Sequence, residues 1–388
     1  MQLFKATNDF KLNGVSYEGF PLIVDSEMKR IKAITDFLIH YCLHRGRVTS
    51  KASWWKYGTD LYDYFSFLEY KSLDWKSSLA NQQQSVVASY RDWSVNEGIS
   101  NTTINGRLRT IIQFYEYALR KKWIDIVPYD IELILVNRSQ GFLTHTDRSG
   151  KLKPSVDVML KTQKKQLQIL TKNEIKRLVT ADIYKSQHLI YRMALQTGLR
   201  REELFTFPES YIKSPGQYKG QRYIAVIIKS EEMDVKEGIG GTKGNKERTI
   251  HIPYSLYKDL YFYKIYDRHA VLLNNGIKYQ KSLFINKYGK PYSTRSQVLN
   301  TALKAVVGRK DVSLHMLRHT FATYKLYELS KNPEYTGNAL VYIQNRLGHS
   351  SITTTEKYLH YLEDLEGEVM SQYDEDIDHL TLRDEVIA

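Results

Sequence analysis

A chain of 388 residues is long for one domain and suits two, and 42% hydrophobic residues are enough to build packed cores, which excludes a disordered protein. The formal net charge of +13 favours a polyanionic partner, and nucleic acid fits better than a membrane because apolar runs such as residues 223–228 are far too short to span one. The single cysteine, Cys42, and the absence of a signal-like start predict a cytoplasmic protein.

The first 24 residues predict a small β arm. Apolar and polar residues alternate on both sides of Asn13-Gly14, a pair typical of a hairpin turn. Either an edge strand or a DNA-contacting arm would suit this segment.

Residues 25–125 have a helical period and predict a four-helix bundle. Ser50 is the predicted N-cap of the second helix, the third covers about residues 81–95, and Thr102 or Thr103 opens the fourth. The bundle carries basic side chains that are candidates for DNA phosphate contacts, although many such residues only line solvated helix faces. The candidates are Lys51, Lys56, Arg107, Arg109 and Lys121.

A basic, less regular segment follows at residues 126–169 and predicts a linker to a second domain. That domain begins with Thr171 and Glu174, which form a capping-box pattern. Strands are predicted at about 222–229 and 248–252, with helices from there onward.

The second half contains the residue types that phosphodiester chemistry requires. A phosphodiester needs cations on its oxygens, a proton for the leaving alkoxide and a positioned nucleophile. Arg200 follows Gly198, where one helix can end before another begins, so its planar guanidinium would be aimed from a fixed junction. Arg201 should face elsewhere and form a surface salt bridge.

His315 and Arg318 are three residues apart and should share one helix face. His319 is assigned to the other face, with a structural or phosphate-contacting role. Lys243 lies in a glycine-rich turn between the predicted strands that lacks the register of a nucleotide-binding loop. Lys246 and Arg248 are alternatives on the same hairpin, or part of a solvated turn.

A further helix should end at Gly348, so that His349 emerges just beyond it. Ser350 or Ser351 would then cap a short helix bearing Tyr358. Tyr358 is the candidate nucleophile, and Tyr361, one turn further on, is the alternative.

In this order, the segments resemble the signature boxes of the tyrosine site-specific recombinases, the phage integrase family that includes the Xer and Cre recombinases. The motifs cover residues 170–362, and the nine-residue spacing from His349 favours Tyr358 over Tyr361. The resemblance implies a mainly α, multi-domain fold with a small β-sheet. An N-terminal helical core-binding (SAM-like) bundle would join a mixed α/β catalytic domain, and the two would form a clamp around duplex DNA.

The resemblance also implies roles for the candidates. Tyr358 would attack the phosphorus to give a 3′-phosphotyrosine, Lys243 would protonate the leaving 5′ oxygen, and Glu203 would brace an arginine or lysine. The phosphate would be held by Arg200, His315, Arg318 and His349.

This chemistry requires no cofactor, ATP or metal, because the phosphotyrosine stores the bond energy. His40, Cys42 and His44 are separated by steps of two, which do not converge on a helix, so they predict no metal site. The expected partners are a specific duplex recombination site and three further copies of the chain in a homotetramer. Strands would exchange through a Holliday junction in a bacterial, phage or mobile-element setting, with the need for accessory DNA-bending proteins left open.

Three other functions compete with this one. A type IB topoisomerase uses similar tyrosine chemistry, a repressor would bind DNA without cutting it, and an RNA-binding protein could carry the same charge. The order and completeness of the boxes favour the recombinase.

The C-terminal end has its own charge pattern. Residues 361–388 hold ten acidic side chains and one basic one, which leaves 55 basic and 33 acidic side chains in the rest of the chain. We expect the acidic tail from residue 363 either to dock on a basic surface of a neighbouring protomer or to remain a solvated end.

Overall fold

The computed structural model describes residues 1–46, 50–80, 84–135, 152–162, 168–233, 247–293, 296–349, 351–356 and 358–359. The chain forms two compact units, Met1–Lys164 and Lys165–Ala388. Their boundary falls within the segment that the sequence predicted as a linker.

The first unit begins with two small antiparallel pairs of strands. Strand β1 (Gln2–Lys5) pairs with β4 (Pro21–Val24), and β2 (Lys11–Leu12) pairs with β3 (Val15–Ser16). Asn13 and Gly14 both have positive φ angles between β2 and β3, which confirms the predicted hairpin.

The segment that carries these strands is anchored to the core of the first unit through β4 and Phe20. Phe20 is fully buried, stacks on Phe10 with ring centroids 5.3 Å apart, and meets the edge of Trp54 at 5.9 Å. The β segment therefore covers one side of the bundle.

The predicted helices are present, with different starts for two of them. They are α1 (Lys32–Leu38), which continues as a π-helical turn over Ile39–His44, α2 (Lys51–Tyr70), α3 (Val86–Asn96) and α4 (Asn101–Arg120). Ser50 caps α2 as predicted. The side chains of Ser85 and Ser100 cap α3 and α4, so α4 is not opened by Thr102 or Thr103. A serine oxygen before the helix accepts from the third amide, and Thr103 is that donor in α4.

Two of the basic candidates for DNA contact also form ion pairs within the bundle, although Lys56 keeps 61% of its side chain exposed. Arg107 donates to Asp63 at 2.6 Å and is close to Tyr90, whose hydroxyl also donates to Asp63. Lys56 forms an ion pair at 2.6 Å with the buried Asp60. Arg107 has 21% of its side chain exposed and has an internal role in holding Asp63, while its contact with DNA stays a prediction.

The other candidates remain on the surface of the bundle. Lys51 has 40% of its side chain exposed and lies 3.7 Å from Glu18, a distance typical of a weak surface pair. Arg109 and Lys121 are exposed, with the Lys121 ammonium 5.6 Å from the ring centroid of Tyr117. Their contact with DNA stays a prediction.

Part of the segment predicted as an irregular linker forms two paired strands, and the residues from Val156 to Leu160 pack on the core of the first unit. Strand β5 (Ile131–Leu135) pairs antiparallel with β6 (Leu152–Val156), and Val158 is fully buried just beyond it. Asn105 in α4 then bonds both the amide and the carbonyl of Leu160, at 2.9 and 2.8 Å. Basic composition alone did not reveal these tertiary anchors.

The second unit surrounds a central helix with other helices and one two-stranded sheet. Strands β7 (Tyr223–Ile228) and β8 (Arg248–Pro253) are antiparallel and confirm the two predicted strands. The described helices are α5 (Lys172–Val179), α6 (Lys185–Thr197), α7 (Arg201–Phe205), α8 (Tyr254–Ile265), α9 (Asp267–Asn274), α10 (Val298–Val307), α11 (Leu314–Lys331), α12 (Ala339–Leu347) and α13 (Thr353–Glu356).

Helix α6 is central because it packs against α5, α8, α11 and β8. The predicted capping box at Thr171 and Glu174 is confirmed at the start of α5. Helix α11 packs on both α6 and α12, and its Arg318 contacts a carbonyl at the end of each.

Arg107 and its neighbour Arg109 provide a matched test of the polar network. We expect Arg107→Ala to lower the free energy of unfolding of the first unit by about 1–2 kcal/mol, because it leaves Asp63 without its cation. The exposed Arg109→Ala should change it by less than about 0.5 kcal/mol. All five tryptophans lie between residues 54 and 123, so tryptophan fluorescence in urea follows this unit. Equal stabilities of the two variants would contradict the internal role of Arg107.

Candidate active site

The site is built where α6 ends and α7 begins. Gly198 ends α6 with a φ of +65°, and a Cβ there would lie 2.4 Å from the ring of Phe321 and 2.9 Å from Leu347, so only glycine fits. Arg200 then occupies the N-cap position of α7. This short junction fixes the direction in which the Arg200 side chain leaves the backbone.

Arg200 is held by two partners. Its amide and Nη1 donate to the two carboxylate oxygens of Glu203, at 2.7 and 3.0 Å, and its Nη2 donates to the carbonyl of Gly348 at 3.0 Å. With 17% of its side chain exposed, Arg200 still reaches solvent. A guanidinium that is oriented in advance and still accessible is suited to binding an anion.

Arg318 connects the ends of two helices from inside the protein. It projects from α11, is 2% exposed, and donates to the carbonyls of Gly198 at 2.6 Å and Leu347 at 2.7 Å. Burial, together with the nearby positive charge of Arg200, lowers the pKa of Arg318 to about 9. Arg318 therefore keeps its charge at neutral pH while being close to another cation.

His349 emerges directly after α12, which ends at Gly348 with a φ of +62°. Its Nε2 lies 3.3 Å from Arg318 Nη2, and its Nδ1 lies 2.9 Å from the hydroxyl of Thr355. Because an arginine can only donate, Nε2 is the acceptor, which places the proton of a neutral ring on Nδ1.

Tyr358 is fully buried in a small hydrophobic cluster with residues of α11 and α12. Its ring is nearly parallel to that of His349, with centroids 6.5 Å apart. Burial raises the pKa of Tyr358 to about 12, although Arg318 and Arg200 act in the opposite direction. The phenol is therefore protonated at neutral pH.

The structure corrects the predicted position of Tyr358 in its segment. Helix α13 ends at Glu356, and Tyr358 lies in the following turn, where its amide donates to the carbonyl of Thr355 at 3.0 Å. The observed helix is too short to include the tyrosine that the prediction placed on it. Of its two predicted caps, Ser351 lies before it and Ser350 is outside the described residues.

His319 was assigned to the wrong face of its helix. Its Nδ1 lies 3.0 Å from the Tyr358 hydroxyl, and its ring is 4.4 Å from that of His315. Residues four apart share a helix face, so the spacing between His315 and His319 could have revealed this. His315 itself is exposed in the first turn of α11.

Glu203 forms an ion pair with Arg248 as well as with Arg200. Burial alone would raise the pKa of the Glu203 carboxyl, but hydrogen bonds and charge from Arg248 and Arg200 lower it below its usual value. Glu203 therefore contacts an arginine, as the sequence predicted. The structure gives Arg248 a different place from the exposed hairpin position expected for a DNA contact, because its side chain is only 9% exposed.

The remaining predicted residues are distributed as follows. Arg201 contacts the carbonyl of Ser296 and the ring of Phe205, away from Arg200. Lys243 and Lys246 lie outside the described residues.

An open cleft of 550 Å³ adjoins the site, lined by Arg200, Arg248, His251, Arg346, Gly348 and His349. Its cationic lining is suited to a phosphate backbone.

Among the described residues, no cluster of three or more His, Cys, Asp or Glu side chains has the arrangement needed to hold a metal ion. The helices that the structure describes include none with the length and apolar character needed to cross a membrane.

Comparisons with known proteins match both units. Residues 168–364 match the Phage integrase family, and residues 34–122 match the Phage integrase N-terminal SAM-like domain. A helical bundle followed by a unit that gathers arginines, histidines and a tyrosine defines a tyrosine recombinase. The chain belongs to the phage integrase family.

Individual relatives agree with this assignment. Transposase A from transposon Tn554 of Staphylococcus aureus is 29% identical over 67% of this chain and 66% of the relative, so the chain spans just under two thirds of that protein. Tyrosine recombinase XerC of Staphylococcus carnosus is 26% identical over 82% of this chain and 90% of the relative.

Two solved structures share the fold. The XerH site-specific recombinase bound to a palindromic difH substrate matches with a TM-score of 0.53 and 18% identity, covering 88% of this chain and 89% of that one. The Tn1549 transposon integrase in complex with circular intermediate DNA has a TM-score of 0.51 and 18% identity, with 92% and 99% covered. The predicted family and fold class are confirmed.

Two glycines separate backbone strain from crowding at the site. Gly198→Ala and Gly220→Ala both place a side chain at positive φ, which costs about 1–2 kcal/mol. A Cβ at Gly220 would meet nothing within 4 Å, whereas one at Gly198 would meet Phe321 and Leu347 and cost about 1–3 kcal/mol more. We expect calorimetry to show the larger loss for Gly198→Ala, accompanied by loss of DNA cleavage in that variant alone. Equal losses would mean that the α6–α7 junction tolerates a side chain.

Proposed function

We propose that this chain cuts and rejoins duplex DNA at a specific site through a covalent 3′-phosphotyrosine on Tyr358. The observation that carries the proposal is the convergence of Arg200, Arg318 and His349 around the turn at Gly348, with Tyr358 beside them. The two arginines supply the cations, His349 a further polar contact and Tyr358 the nucleophile that phosphodiester exchange requires.

The reaction assigns one role to each group. Arg200, Arg318 and His349 bind the non-bridging oxygens as negative charge develops on them. Tyr358 Oη attacks the phosphorus, and its proton passes to a nearby base, for which His319 Nδ1 is placed at 3.0 Å. The bond to the 5′ oxygen breaks as Lys243 supplies a proton, and the reverse reaction by a new 5′ hydroxyl rejoins the strand. His315 assists in holding the phosphate.

This reaction needs no metal or ATP, because the arginines stabilise the charge and the ester conserves the bond energy. We propose that four copies assemble on two sites and exchange one strand at a time through a Holliday junction. The acidic tail from residue 363 would contact a neighbouring protomer in that assembly.

The proposed substrate is duplex DNA with inverted recognition sequences around a short spacer, in the bacterial cytoplasm. Support comes from the relatives: one is a transposon transposase, and solved structures of the fold contain difH or circular intermediate DNA. Lys51, Lys56, Arg107, Arg109, Lys121 and Lys246 remain the proposed phosphate contacts, and accessory proteins that bend DNA are proposed as additional partners. The two arginines beside Tyr358 support recombinase chemistry rather than a repressor without catalysis.

Tyr358→Phe tests the nucleophile. The ring can pack as before, but without its oxygen no covalent bond to DNA can form. We expect the variant to bind a duplex containing the site and to give no protein–DNA adduct with a nicked suicide substrate on a denaturing gel. Tyr361→Phe serves as the control and should retain the adduct. An adduct in Tyr358→Phe that disappears in Tyr361→Phe would move the nucleophile to Tyr361.

The phosphate-binding roles can be separated from DNA affinity. We expect Arg200→Ala and His349→Ala each to lower the single-turnover cleavage rate by about 10²–10³-fold, as when one oxyanion donor is removed, and to change binding much less. Arg201→Ala is the matched control, since Arg201 contacts Ser296 and should cleave normally. A parallel loss of binding and cleavage would make these groups DNA-positioning residues only.

A further inference from the structure

Arg248 makes an extensive set of contacts beneath the site. Its Nη1 and Nη2 donate to the two oxygens of Glu203, at 2.7 and 2.5 Å. The Glu203 side chain is completely buried. A two-pronged pair of this kind fixes the carboxylate in one orientation.

The same side chain also contacts the end of α12. Arg248 Nε donates to the carbonyl of Arg346 at 3.0 Å. A Cβ on Gly348 would lie 3.2 Å from Arg248 Cδ and 3.4 Å from its Nη1, so the guanidinium lies against the turn that precedes His349. Arg248 thus links the start of β8 to the backbone from which His349 emerges.

Glu203 has little freedom left once these bonds form. Each of its oxygens accepts one bond from Arg248 and one from Arg200. Arg200 in turn donates to Gly348, which closes a ring of contacts through Arg248, Glu203, Arg200 and the end of α12.

We infer that Arg248 is a positioning residue for the cleavage step: by fixing Glu203 and the Gly348 turn, it orients Arg200 and His349 toward the scissile phosphate. This inference rests on the proposed function, because it assumes that Arg200 and His349 bind that phosphate. Without Arg248, the buried Glu203 carboxylate keeps Arg200 as its only cation among these contacts, and the Arg200 guanidinium is drawn toward it and away from the substrate.

A lysine at position 248 could not make the same set of contacts. Arg248 uses three separate nitrogens in one plane, two on Glu203 and one on the Arg346 carbonyl. A lysine ammonium has the charge but is a single point at the end of a flexible stem. Charge and orientation can therefore be tested separately.

The experiment measures DNA affinity, thermal stability and single-turnover cleavage of a suicide substrate for Arg248→Gln and Arg248→Lys. We expect affinity to stay within about threefold and cleavage to fall by about 10²-fold for Arg248→Gln, the loss associated with a misplacement of about 1 Å. Arg248→Lys should fold well and still lose about tenfold, because it keeps the charge without the fork. If Arg248→Gln does not fold, Arg248→Lys alone decides, and a wild-type cleavage rate in it overturns the inference.

A double variant provides the readout that a merely structural role would not affect. Because Arg200 is one of the two groups that Arg248 orients, the losses should not multiply, and the Arg200→Ala/Arg248→Gln protein should cleave within about tenfold of Arg200→Ala. Multiplicative losses would overturn the inference, and so would a loss of affinity as large as the loss of cleavage, which would make Arg248 a direct DNA contact.

Arg309→Gln is the matched control in the same unit. Arg309 also pairs with a buried glutamate, Glu174, at 3.1 Å, but does so at the start of α5. It should lower thermal stability and leave cleavage per folded molecule unchanged. Normal cleavage in Arg248→Gln, with Tyr358→Phe still losing the adduct, would reject only this inference. An adduct in Tyr358→Phe would reject the proposed function itself.

Discussion

The site depends on holding three arginines together in a space that largely excludes water. Arg200, Arg248 and Arg318 repel one another, and the low polarity of the interior strengthens that repulsion. Glu203 neutralises one charge through bonds to Arg200 and Arg248. The rest of the compensation comes from the backbone. Arg318 binds the carbonyls at the ends of α6 and α12, and Arg200 and Arg248 bind further carbonyls at the end of α12.

Helix ends suit this purpose because their last carbonyls have no partner inside the helix and carry partial negative charge. Both α6 and α12 end at a glycine in the left-handed conformation, Gly198 and Gly348, which turns the chain away and leaves those carbonyls accessible. The glycines thus supply acceptors for the arginines as well as the turns that place Arg200 and His349. The same two helix ends, at Gly198 and Gly348, therefore both balance the charge of the arginines and set the backbone geometry of the site.

The sequence predicted the features that depend on local signals. Gly198 before Arg200, Gly348 before His349, the Thr171 capping box and the two strands all follow from a few neighbouring residues, and the structure contains each of them. It did not predict features that depend on residues distant in the chain. The pairing of Arg248 with Glu203 joins positions 45 residues apart, and Arg107 with Asp63 joins positions 44 apart. Basic side chains look alike in a sequence, and only tertiary contacts distinguish those that face solvent from those that brace a neighbour.

Tyr358 shows what this arrangement implies for control of the reaction. In this structure its hydroxyl is buried and bonded to His319, and its pKa is about 12, so the nucleophile is both shielded and protonated. The charges of Arg318 and Arg200 favour the ionised phenol, but burial outweighs them. A phosphate bound by those arginines would cancel part of their influence on the phenol and raise its pKa further, so binding DNA cannot activate the tyrosine through charge alone. In the proposed reaction the phenol must therefore pass its proton to a base as the bond to phosphorus forms, and His319 Nδ1 lies 3.0 Å from it. The contact between His319 on α11 and Tyr358 after α13 is therefore the feature on which the reactivity of the phenol depends.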